Sequence, residues 1–171
     1  MAILTNNSKV DNALRLYKEA QTMFFAFGNS NTEWKDPTTP PEPSASITSL
    51  DELVGIKKVS SVSLACTVDS PTGQNVVSFG GQNYELVGLS EAYARNAHFV
   101  YITTVLKQND FSVTTHRSVA LTKQPVYDAS LTGDAIPAES VISQGSLQVV
   151  QNTTLRDSIN SDTLEYLIIS A

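Results

Sequence analysis

Two histidines, His98 and His116, one cysteine, Cys66, and Ser118, two positions after His116, are the side chains best suited to chemistry in this sequence. A zinc site needs further ligands at set spacings, and neither H-x-x-x-H nor H-E-x-x-H occurs. His98 is expected to open a strand and pack its ring at a sheet margin. Ser118 and His116 share a strand face if the local alternation holds, which is the minimal nucleophile and base of a small hydrolase. No G-x-S-x-G elbow surrounds that serine, however, and serine is abundant enough for such neighbours to arise by chance. Cys66 lies in S-L-A-C-T-V, an apolar setting that suits a buried, inert thiol. Asp51-Glu52 fits the first turn of a helix better than an acid/base pair. Gly80-Gly81 lacks the lysine and hydroxyl of a phosphate loop. Asn6-Asn7-Ser8 and Asn152-Thr153-Thr154 match the glycosylation sequon and are taken as chance. No enzyme, metal or cofactor is expected.

The elements that would position these groups are mostly strands. Val10, Ala13, Leu14 and Tyr17 follow helical spacing, with Asn7 or Ser8 as the expected N-cap. Residues 23–27, M-F-F-A-F, read as a strand covered on both faces, since an exposed version would aggregate. Residues 29–46 change character. Pro37, Pro40, Pro41 and Pro43 sit among Thr, Ser and Asn around the lone Trp34. Such a segment can neither be helix nor inner strand, and is expected to run extended across a surface. Ser49 and Glu52 form a capping box, predicting a helical turn through Leu53. Further strands are expected near 62–68, 76–79, 84–87, 99–106, 117–121, 147–150 and 164–169. Residues 69–73, D-S-P-T-G, read as a turn, 91–97 as a helical turn, and 99–106 with 111–115 as a hairpin about Gln108-Asn109-Asp110.

The sum is a mostly β (α+β) chain: an antiparallel, sandwich-like core of about seven or eight short strands, one N-terminal helix and a Pro-rich extended arm. One domain is expected overall, with the helix at 1–21, the aromatic strand and arm at 22–48, and the β core at 49–171. At this length the chain can bury roughly two-thirds of its unfolded surface. Only 16% of residues are charged, below the usual ~25%, while 37 are Ser or Thr. A net charge of −6 argues against nucleic acid and against an anionic membrane surface as partner. No apolar run is long enough to insert into a membrane, and the N-terminus does not read as a secretory signal. Synthesis in a reducing cytoplasm is expected.

What stands out is surface material. An arm stiffened by proline costs little entropy to dock, and a rigid aromatic beside it is the composition of an interface hot spot. The alternative is that Trp34 folds back over the chain's own core, and both can hold together.

Residues 22–43, T-M-F-F-A-F-G-N-S-N-T-E-W-K-D-P-T-T-P-P-E-P, resemble a segment of baseplate wedge proteins from contractile-tailed bacteriophages. In that family an aromatic strand ends in F-x-G and leads to a Trp, an acidic residue and a P-P-x-P cluster. A short acidic helix (here 50–54) and a basic strand (here 55–59) then follow. F-V-Y-I-T-T-V-L at 99–106 and R-S-V-A-L-T-K-Q-P at 117–125 are similar to later family strands. The ending resembles its closing pattern through Gly145, Leu147, Asn152, Arg156 and residues 164–169. The family's central W-x-x-G-x-x-Y-x-x-Y stretch is represented here only by Glu91-Ala92-Tyr93.

The resemblance implies a structural virion subunit of the tail, in the baseplate and made in the host cytoplasm. It would hold other tail and baseplate proteins through permanent interfaces in a symmetric, multi-copy assembly. The expected partner-facing residues are Phe25, Phe27, Trp34, Pro37, Pro40, Pro41, Pro43, Arg117 and Arg156. Alternatives are a neck or head-associated structural protein, or a β-sandwich module binding host glycans.

Overall fold

A computed structural model describes residues 3–31, 34–36, 38–70, 73 and 75–171. Its elements run α1 (Asn6–Ala20), β1 (Phe24–Gly28), β2 (Leu53–Lys58), β3 (Ser61–Val68), β4 (Val76–Phe79), β5 (Gln82–Val87) and β6 (Phe99–Leu106). They continue with β7 (Thr115–Lys123), β8 (Val126–Tyr127), β9 (Ala135–Pro137), β10 (Val141–Ser143), β11 (Ser146–Asp157) and β12 (Thr163–Ser170). The expected class stands: mostly β, antiparallel in its pairings, with one N-terminal α-helix among the described residues. The twelve strands among the described residues exceed the expected number, in part because pieces as short as β8, β9 and β10 carry no readable alternation.

Two compact units share the chain. The first contains residues 1–21, 60–103 and 166–171. Here α1 buries Val10, Ala13 and Ala20, and its first turn is capped by Thr5, whose Oγ1 accepts the Ser8 N–H at 3.2 Å. The cap thus lies ahead of the expected Asn7 or Ser8; threonine serves the same role. The sheet order is β12-β6-β3-β5-β4. Phe79 pairs with Gln82 across Gly80 and Gly81, at φ +57° and +80°, so these glycines make a tight primed hairpin turn that other residues resist. His98 precedes β6 and its ring lies tilted against Phe99 with centroids 4.4 Å apart. Cys66 is buried in β3.

The second unit contains residues 22–59 and 104–165. Its main sheet runs β11-β7-β1-β2-β9, beside a two-stranded ribbon of β10 and β8. β1 sits at the centre, buried along its whole length as expected. One face gathers Phe24, Ala26, Leu50, Ile56, Ala120 and Ile136. On the other, Phe25 and Phe27 stack with centroids 6.2 Å apart, and Phe27 meets Phe111 at 6.1 Å and His116 edge-on at 5.1 Å.

Two local expectations change. Residues 49–54 form no helical turn: Glu52 takes φ +47°, its carbonyl accepts the Asn29 N–H at 3.1 Å, and β2 starts at Leu53. The acidic helix implied at 50–54 is therefore absent, while the basic strand after it is β2. The hairpin about Gln108-Asn109-Asp110 does not form either, because β6 pairs with β3 and β7 with β1 and β11, in separate sheets. Asp110 instead turns its carboxylate to Lys57, far away in sequence. Part of the 69–73 turn, Pro71 and Thr72, lies outside the described residues.

Gly145 joins β10 to β11 at φ +76°, where an added Cβ would lie 2.2 Å from the Lys123 carbonyl oxygen. Left-handed strain costs about 1–2 kcal/mol for other residues, and the clash adds to it. Gly145→Ala is therefore expected to lower the melting temperature by several degrees.

Candidate partner-binding surface

The arm leaves β1 at Asn29 and returns at Leu50. Its course is set by hydrogen bonds rather than by regular structure. Trp34 N–H donates to Asn31 O at 2.9 Å. The Asp36 carboxylate accepts the Thr38 N–H at 2.8 Å and the Thr38 hydroxyl at 2.7 Å. Those Thr38 bonds, side chain first, hold the Asp36 carboxyl below its ordinary value. A lowered value means the bonds favour the ionised form. Their contribution is present above the ordinary carboxylate range and fades as pH falls through the lowered value.

Two side chains fasten the arm to its own unit. Asn152 of β11 donates to the Pro41 carbonyl at 2.9 Å and accepts from Ser118 Oγ at 2.9 Å. Gln144 clasps Leu50 twice at 2.8 Å, accepting its N–H and donating to its carbonyl. Between arm and sheet lies an open cleft of about 430 Å³, lined by Trp34, Pro41, Pro43, Leu50, Ser118, Asn152 and several serines, with Glu42 and Asp51 contributing carboxylates. A second groove of about 190 Å³ separates residues 43–47 from residues 147–150 of β11.

The expected interface residues divide. Trp34, Pro40 and Pro43 are half-buried, Pro41 is exposed, and Pro37 lies outside the described residues. Phe25 and Phe27 are each 0% exposed, sealed in the core of the second unit, and cannot meet a partner there. The aromatic density that singled them out serves packing. Arg117 donates to Asn29 Oδ1 at 3.3 Å, and Asn29 Nδ2 donates to Thr115 Oγ1 at 3.2 Å, so Arg117 steadies the arm's exit. Arg156 contacts the carboxylate of Glu165, a fully buried residue. His116 Nε2 lies 3.1 Å from the other Glu165 oxygen, within ion-pair reach, although neither atom makes a well-directed hydrogen bond.

That leaves no serine–histidine couple, since Ser118 faces Asn152 and His116 faces Glu165. Among the described residues no three His, Cys, Asp or Glu side chains gather as for a metal, and no helix is long and apolar enough to cross a membrane. Sequence reasoning passed over Gln144, Lys57 and Glu165. Only Glu165 left a signal: in T-L-E-Y-L-I-I-S it shares strand parity with buried Leu167, while Leu164 is half exposed. Three residues of the closing pattern acquire physical roles here. Gly145 makes the left-handed turn, Asn152 ties the arm, and Arg156 holds the buried carboxylate.

Comparison with known proteins gives the same reading. A family model described as baseplate wedge 3 tail fiber network component matches residues 1–169. Virion protein 3 of Enterococcus phage phiEF24C is 33% identical over 155 residues, spanning 89% of this chain and 84% of that protein. With nearly every residue inside the family match and a phage virion protein among its relatives, the chain belongs to the baseplate wedge 3 tail fiber network component family and is a structural component of a phage baseplate.

Proposed function

We propose that this subunit is a non-enzymatic joint, present in several symmetric copies, which holds other tail proteins permanently through its proline-rich arm. The observation that carries this reading is the open cleft between the arm and the sheet edge, with Trp34 half-exposed on its wall. The arm is fastened at Leu50 and Pro41 before any partner arrives, so docking orders few residues and more of the contact energy is retained. Low charge suits the reading as well, since charged groups are depleted at the centres of stable interfaces. Trp34, Pro40, Pro41 and Pro43 would grip the neighbour, while Arg117 and Arg156 keep the ground beneath them in shape.

The test is Trp34→Ala. A buried aromatic anchor is worth about 2 kcal/mol or more at a contact, roughly a 30-fold weakening. Virions carrying the variant should incorporate markedly less of this subunit, while the purified chain melts within about 2 °C of the wild type. Equal losses in fold and incorporation would falsify the reading, as would a particle reconstruction in which the arm faces open solvent.

A further inference from the structure

Among the described residues Lys57 is the one buried lysine, 1% exposed in the middle of a sheet. It sits in β2 in direct register with Phe25 of β1, and Phe27 lies opposite Gly55 on the same face. The Phe111 ring covers Gly55 so closely that an added Cβ would come within 2.3 Å of it. Asp110 immediately precedes that ring, so carboxylate and aromatic cover arrive together. Its carboxylate contacts Lys57 Nζ and accepts the Lys107 N–H at 2.7 Å, with 11% of the side chain exposed. A second carboxylate, Asp134, is 3.5 Å from Nζ and mostly exposed. Sheet pairing fixes it there, because Lys58 N–H donates to Asp134 O at 2.8 Å and Lys57 pairs with Ala135.

We propose that Lys57 and Asp110 become joined by an intramolecular isopeptide bond, with Asp134 carrying the proton. An ammonium passing one proton to Asp110 leaves a neutral amine beside a carboxylic acid, the arrangement in which burial carries no charge. The Nζ lone pair attacks Asp110 Cγ. Asp134 takes a proton from the attacking nitrogen and delivers it to the departing hydroxyl, which leaves as water. The Nζ–Cγ bond forms, one Cγ–O bond breaks, and the step is redox-neutral, needing no further reactant. Fixing the reacting groups in contact supplies the effective concentration that free lysine and aspartate lack. The aromatic cover disfavours the returning water, and a neutral amide ends the cost of holding an ion pair in the core. A cross-link spanning 53 residues would also restrict the unfolded chain, a useful property in a particle that must outlast its host.

Denatured chain released from purified virions, hence already folded and assembled, decides the matter by intact mass. The expected mass is lower by one water than the sequence requires, and digestion should yield a branched peptide joining the Lys57 and Asp110 segments. A full-length chain at its complete mass overturns the proposal. So does a dehydrated Asp110 peptide not joined to Lys57, which marks a succinimide. Virions carrying Asp134→Asn should contain the subunit mostly at full mass; equal joining in that variant overturns the role given to Asp134.

Discussion

Glu165→Ala is expected to destabilise the second unit by about 3–5 kcal/mol, a large part of a typical domain's 5–15 kcal/mol. The carboxylate is wholly buried between Arg156 and His116, and the Phe27 ring meets that same histidine in a T-shaped contact. Removing it strands a guanidinium only 33% exposed, leaves the buried His116 Nε2 with no carboxylate opposite it, and opens a void. The loss should appear in urea as a lower midpoint with an unchanged slope. Glu165→Gln preserves the volume and an acceptor for Arg156, so it should lose less, about 1.5–3 kcal/mol for one charge-assisted bond. Arg156→Met leaves the buried carboxylate without its cation and is expected to cost at least as much as Glu165→Ala. Combining Arg156→Met with Glu165→Leu should then recover part of the loss, because a paired apolar replacement leaves no buried charge. If the double variant is no better than the sum of its parts, the coupling of these two residues is refuted.

The buried charges also mark where sequence reasoning stops. Regular alternation was readable: the strands expected at 76–79 and 99–106 are β4 and β6, residue for residue. The aromatic run at 23–27 was rightly placed under cover on both faces, yet its phenylalanines were also assigned to a partner, which full burial rules out. The Ser49–Glu52 capping box failed because the backbone there was recruited by Asn29, which needs the Glu52 carbonyl. The hairpin after β6 failed for a similar reason: the 107–110 turn does close, but Asp110 also holds Lys57, and the strands on either side of it join different sheets. Local spacing reports what a segment can do alone; these segments are bent by partners that only the folded chain supplies. The arm was legible as a segment without helix or strand lying against the sheet, though it bends through several i→i+3 bonds instead of running extended, and its anchors were not legible. Gln144 and Asn152 are ordinary polar residues until the fold brings Leu50 and Pro41 to them.

Phe27→Ala separates the two uses of aromatic residues in this chain. Phe27 is 0% exposed and touches Phe25, Phe111 and His116, with its backbone opposite Gly55, where no side chain can close the gap. Deleting such a ring costs about 3–5 kcal/mol, the lost transfer energy plus the cavity left behind. Collapse is resisted on one side by the sheet and on another by Phe111, held beside the Lys57–Asp110 pair. The expected result is a chain with a melting temperature lower by ten degrees or more, and too little folded protein to enter particles. Trp34→Ala should do the reverse, leaving the melt nearly unchanged and reducing incorporation. A Phe27→Ala chain that folds within about 1 kcal/mol of wild type yet fails to assemble would mean that this ring faces a neighbour after all. The paired melts and incorporation assays therefore decide which aromatic belongs to the core and which to the joint.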